Sequence, residues 1–186
     1  MNHEQPDGAA ASLPPVSEDG AAAGASAVWV FDSRLDAAHE AAARVLEFSA
    51  PLGFCEVGVL RLEHALYEAF VNAVEHGYHN QPGHPVRVAA TVAGGWLWLK
   101  VCQRGAALEP SMLAAVPVGF DDLPDVLDVA ACEPGGRGLR IIKASVARCE
   151  VRSDDGDSCL VMAEPLPAVG ASGRSRRPEV PVVPAD

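Results

Sequence analysis

Glu68-Ala69-Phe70-Val71-Asn72-Ala73-Val74-Glu75-His76-Gly77 is the stretch whose reading decides the fold. Leu62, Leu66, Phe70, Ala73 and Val74 recur at spacings of three and four, the pattern of one apolar helix face. Glu68, Asn72 and His76 lie four residues apart and stack on a different face of the same helix. Gly77 stands where a helix commonly stops. A carboxylate one turn from a carboxamide suits magnesium-assisted phosphoryl chemistry. The amide oxygen of Asn72 is a hard metal ligand, and Glu68 has the chemistry to take a proton from an attacking hydroxyl. Taken alone, such a pair is more often a solvated polar face, so its surroundings decide.

Two strand-like runs follow, 86–92 and 96–101, joined through Ala93-Gly94-Gly95 as a hairpin. Then come Gln103-Arg104-Gly105, a long irregular stretch, and Pro134-Gly135-Gly136-Arg137-Gly138-Leu139-Arg140-Ile141-Ile142. In the last of these a glycine cluster opens directly into a helical pattern. Glycines there let backbone N–H groups approach a phosphate, and the new helix presents its positive end to it. A Gly-Gly-x-Gly run by itself is as readily a mobile loop. The order helix, hairpin, glycine loop, long connection, glycine-rich loop, helix is far more specific.

With these motifs the chain resembles the anti-sigma-factor serine kinases, small members of the ATPase superfamily shared by gyrase and the sensor histidine kinases. The resemblance covers roughly residues 27 to 165. Glu68 to Gly77, with His76-Gly77-Tyr78 at its end, is similar to the family's Asn-containing box, and Gly136-Arg137-Gly138-Leu139 with Ile141-Ile142 to its second glycine box. The resemblance implies the histidine-kinase-like (Bergerat) ATPase fold, with ATP and magnesium held under a lid. Asn72 would ligate the metal, Glu68 would orient or deprotonate a substrate serine, and Gly135, Gly136 and Gly138 would hold the β- and γ-phosphates. Arg137 would either add charge to the transferring group or point to solvent. The γ-phosphate would go to a serine of an anti-anti-sigma (STAS-type) protein, and the chain would also grip a sigma factor or another output protein, usually as a homodimer. The family's first glycine box reads Asp-x-Gly-x-Gly, the Asp accepting a hydrogen bond from the adenine amino group. This chain has Gln103-Arg104-Gly105-Ala106-Ala107 there, so Gln103 would keep the acceptor without its charge, and Ala107 would crowd the loop. Ala147 occupies the place of a further family Asp.

Composition narrows the classes. With 186 residues, 49% of them hydrophobic, the chain is long enough to bury one core. A net charge of −11 offers no basic stripe for nucleic acid, while leaving a basic protein surface open as a partner. No apolar run approaches the length of a membrane span, and no signal-peptide pattern opens the chain, so a cytoplasmic protein is expected. Five cysteines without Cys-x-x-Cys spacing disfavour a disulfide framework and a structural zinc site, and Cys102, Cys149 and Cys159 read as core residues of strands. His76, His79 and His84 cluster in sequence, but their surroundings read as a loop.

The elements predict an α/β domain over 27–167, an α+β two-layer sandwich with a mostly antiparallel sheet and its helices on one face. Flexible tails rich in small residues and Pro are expected at 1–26 and 168–186. Asp32-Ser33 reads as the cap of a first helix with Leu35, Ala38, Ala42, Val45 and Leu46 facing inward. The stretch from Ala106 to Pro134 reads as a lid over the nucleotide or as a surface insertion. Two functions follow: a protein-serine kinase that doubles as a regulatory binder, or a binding module whose altered Gln103 loop has weakened ATP turnover. A sensor histidine kinase fragment would need an upstream helical hairpin, for which residues 1–60 leave no room.

Overall fold

Period-two alternation builds the sheet. The computed structural model describes residues 24–117 and 137–167. Its strands β1 (Ser26–Asp32), β2 (Pro85–Ala93), β3 (Trp96–Gln103), β4 (Arg148–Asp154) and β5 (Asp157–Pro165) lie in the order β1-β2-β3-β5-β4. Every neighbouring pair is antiparallel. Gly94 and Gly95, at φ +59° and +81°, turn β2 into β3. Two successive positive φ values match the twist of the flanking strands, which is why glycines sit there.

The helices are α1 (Ala37–Ser49), α2 (Glu56–Asn72), α3 (Pro110–Ala115) and α4 (Arg137–Ser145). Phe70, Leu66 and Leu62 of α2 are fully buried against Val88, Leu99 and Met162 of the sheet, with Ile142 of α4 and Val45 of α1 in the same core. Each such side chain contributes about 1.5–3 kcal/mol by leaving water. The opposite face of the sheet carries a smaller apolar group, Trp98, Cys102, Cys159, Val161 and Ala163. This is the expected two-layer α+β arrangement. Among the described residues no helix is long and apolar enough to cross a membrane. The expected tails fall almost entirely outside the described residues.

The structure corrects three expectations. Cys102 and Cys159 form a disulfide, despite the odd cysteine count. The β3–β5 register sets them directly opposite each other, with Cα atoms 4.1 Å apart, a closeness that a sequence separation of 57 conceals. Cys149 is free, and burial pushes its thiol up to about 12. Asp32 and Ser33 do not cap α1. The Ser33 hydroxyl donates to the Gln81 carbonyl (2.6 Å) and accepts from the His84 amide (3.1 Å), and Asp32 accepts from the Gly83 amide (2.6 Å). Pairing of β1 with β2 brings the loop before β2 back to the end of β1, and these two residues tie it there. Leu35 precedes α1 and is exposed, whereas Ala38, Ala42 and Val45 are buried as expected.

Candidate functional site

α2 delivers Glu68 and Asn72 to the start of α4. A Cβ built on Gly138 would lie 2.9 Å from Glu68 Oε2 and 3.3 Å from Asn72 Oδ1. The bare backbone of the first turn of α4 therefore rests on the carboxylate and the carboxamide. Amide N–H groups of a helix's first turn lack partners within the helix and carry its positive end. Asn72 Nδ2 is buried and has no hydrogen-bond partner. An unpaired buried polar atom costs about 1–3 kcal/mol unless something satisfies it, so Asn72 has an amide donor to spare for an incoming group. A hard amide oxygen, an adjacent carboxylate and an unspent amide donor fit magnesium with phosphate oxygens.

Glu68 is half-buried, and its pKa is raised. Burial is the main cause and the Glu75 charge adds to it, while His64 acts in the opposite direction. Glu68 also lines a cavity of about 300 Å³ between α2 and α4, together with His64, Tyr67, Ile141, Ala144 and Ser145. This gives the Glu68 side chain open space beside it. His64, Tyr67 and Ser145 went unnoticed in the sequence. Only the i, i+4 spacing of His64 to Glu68 pointed to the first of them.

Beyond Asn72 the chain widens into a π-turn, Ala73–Gly77, closed by the Tyr78 amide donating to the Ala73 carbonyl (3.1 Å). The Gly77 carbonyl then accepts from the Ala106 amide (2.8 Å). A Cβ on Gly105 would stand 1.9 Å from that carbonyl oxygen, so only glycine fits. Gln103, at the end of β3, is 6% exposed. Its Nε2 donates to the Ala106 carbonyl (2.6 Å), and its Oε1 accepts from the Gly105 amide. The loop is held from outside as well. The Arg104 amide donates to the Tyr78 hydroxyl (2.8 Å), Arg104 Nε pairs with Asp157 (2.7 Å), and the Leu108 amide donates to Ser158 Oγ (3.2 Å). Burial alone would raise the pKa of Asp157, but hydrogen bonds from Arg104 and Arg87 hold its carboxyl below the usual range.

Of the other expected site residues, Leu139 turns its side chain into the core, leaving only its backbone toward the site. Arg137 opens α4 and is exposed. Gly135 and Gly136 lie outside the described residues, as does everything after Pro117 in the stretch from Ala106 to Pro134 that reads as a lid or a surface insertion. Its first part contains α3, whose end is tied to α4 by Lys143 donating to the carbonyls of Leu113 (3.2 Å) and Val116 (2.6 Å). No curated protein sequence matches the chain. Among solved structures it is similar to the RsbU and RsbW domains of Rv1364c from Mycobacterium tuberculosis, with a TM-score of 0.51 and 22% identity. That match covers 76% of this chain and 32% of that one, so the chain spans about a third of the solved protein, and the likeness is one of fold. Residues 31–163, nearly the whole described fold, match the model of the histidine kinase-like ATPase domain, and the chain belongs to that family.

Proposed function

We propose that the chain is an ATP-binding, anti-sigma-factor-like regulator. It acts as a serine kinase toward an anti-anti-sigma (STAS-type) partner, and it sequesters a sigma factor or another output protein. The observation that carries this reading is the Glu68–Asn72 pair against the bare backbone of Gly138, with Asn72 Nδ2 buried and unspent. Asn72 holds magnesium through its amide oxygen and offers its N–H to a phosphate oxygen. Gly138, with Gly135 and Gly136 before it, offers backbone N–H groups to the phosphates, and Arg137 stands at the solvent side. Magnesium, when bound, draws charge from the phosphates during transfer. Glu68 accepts the proton of the serine hydroxyl, which enters through the cavity beside it. Its raised pKa makes it a better base than a solvated carboxylate. We further propose a cytoplasmic homodimer. Sedimentation that shows a monomer across micromolar concentrations argues against the pairing.

A binding module without turnover is the second reading, favoured by Gln103, whose amide serves its own loop. Calorimetric titration with a non-hydrolysable ATP analogue and magnesium separates the two. Micromolar binding that Asn72→Ala abolishes supports the kinase, and phosphate transfer to the partner must then be lost in Glu68→Ala. Absence of binding up to about 1 mM, weaker than about −4 kcal/mol, leaves the module.

A further inference from the structure

Of the buried polar side chains, Gln103 is the one suited to read a base. Ser33 is spent on the loop before β2, Ser49 on a carbonyl of its own helix, and Asp157 on two arginines, while Arg140 is a cation with donors and no acceptor. Ser145 lines the cavity beside Glu68. Gln103 sits where α2 runs out, past Asn72. Its amide lies within 3.0 Å of where a Cβ on Gly77 would be, packed on bare backbone. On the nucleotide-binding reading, phosphates at Asn72 and Gly138 would leave the base to run along the π-turn, whose last residue, Gly77, packs on this amide.

The orientation of that amide is fixed by its partners. The Gly105 amide can only donate, so it must meet the carbonyl oxygen. The Ala106 carbonyl can only accept, so it must meet the NH₂. Each end therefore keeps half its capacity: one N–H on Nε2 and one lone pair on Oε1. A carboxylate at this place would be an acceptor alone. It would welcome a purine with an amino group at C6 and repel one with a carbonyl oxygen there. Gln103 has a donor for the carbonyl and an acceptor for the amine.

We propose that Gln103 makes this a purine site without discrimination at C6, accepting guanosine and inosine triphosphates alongside ATP. The inference rests on the nucleotide-binding reading above. The guanidinium of the adjacent Arg104 is paired with Asp157.

The test is titration of the full chain with non-hydrolysable ATP and GTP analogues, and with ITP, each with magnesium. The expected result is three affinities within about tenfold of one another, a spread below about 1.4 kcal/mol. Gln103→Asp should raise the preference for ATP over GTP by about tenfold or more. A preference above tenfold for either base in the unaltered protein overturns the inference while leaving nucleotide binding standing. An unchanged ratio in a folded Gln103→Asp protein overturns it too, because the base is then read elsewhere. Failure of all three nucleotides to bind overturns the inference and the nucleotide reading together. If Gln103→Asp does not fold, the ratio in the unaltered protein decides alone.

Discussion

Glu68 is held in a state that costs stability. Its folded pKa is raised by burial and by Glu75, so between its unfolded value and its folded value the native state binds more protons than the unfolded one. Stability from this group is therefore fully present below about pH 4 and is lost as pH rises through the folded value. Glu68→Gln should leave the protein more stable than the original at pH 7, with the gain vanishing near pH 4, as read by urea unfolding at the two values. Gly105 makes the opposite point. Its Cβ would collide with the Gly77 carbonyl, so Gly105→Ala should destabilise by about 1–3 kcal/mol, read as a lower urea midpoint. The meeting of Glu68, Asn72 and Gly138 was legible because helical spacing and a glycine-rich helix start are local signals. The inward turn of Gln103 was not, since its partners are backbone groups that any loop possesses.

Strands and helices were legible wherever a period governs them. Glu56–Asn72 and the Gly94-Gly95 hairpin follow from apolar spacing and turn chemistry. The π-turn at Ala73–Gly77 carries no such signal, because its register is set by Tyr78, which bonds both the Pro85 carbonyl and the Arg104 amide. Asp157 shows how one element fixes another. From the first position of β5 it binds Arg87 of β2 and Arg104 of the loop after β3. Its folded pKa lies below the unfolded one, so its contribution is present above about pH 4 and is lost as pH falls through the folded value. Asp154, paired with Lys100, acts in the same direction. The urea midpoint should fall steeply below about pH 4, and Asp157→Asn should flatten that fall while lowering the plateau at neutral pH.

At the scale of the molecule, long-range register was the part the sequence concealed. Strand periods announce that Cys102 and Cys159 lie on strands, but only the order β3-β5 places them face to face. Chain-entropy arguments give about 4 kcal/mol for a cross-link over 57 residues. Replacing both cysteines by serine should lower stability by up to that amount. It should also raise the denaturant m-value, because the unfolded chain is released from its constraint. An unchanged m-value would show that the bond does not form in solution. The disulfide also makes a covalent circle of residues 102–159. Gln103, the start of α4 and residues 118–136 all lie on that circle. A protease that cuts one peptide bond anywhere along it opens the ring without parting it. The cleaved protein would run as a single species until a thiol is added, and only then as two.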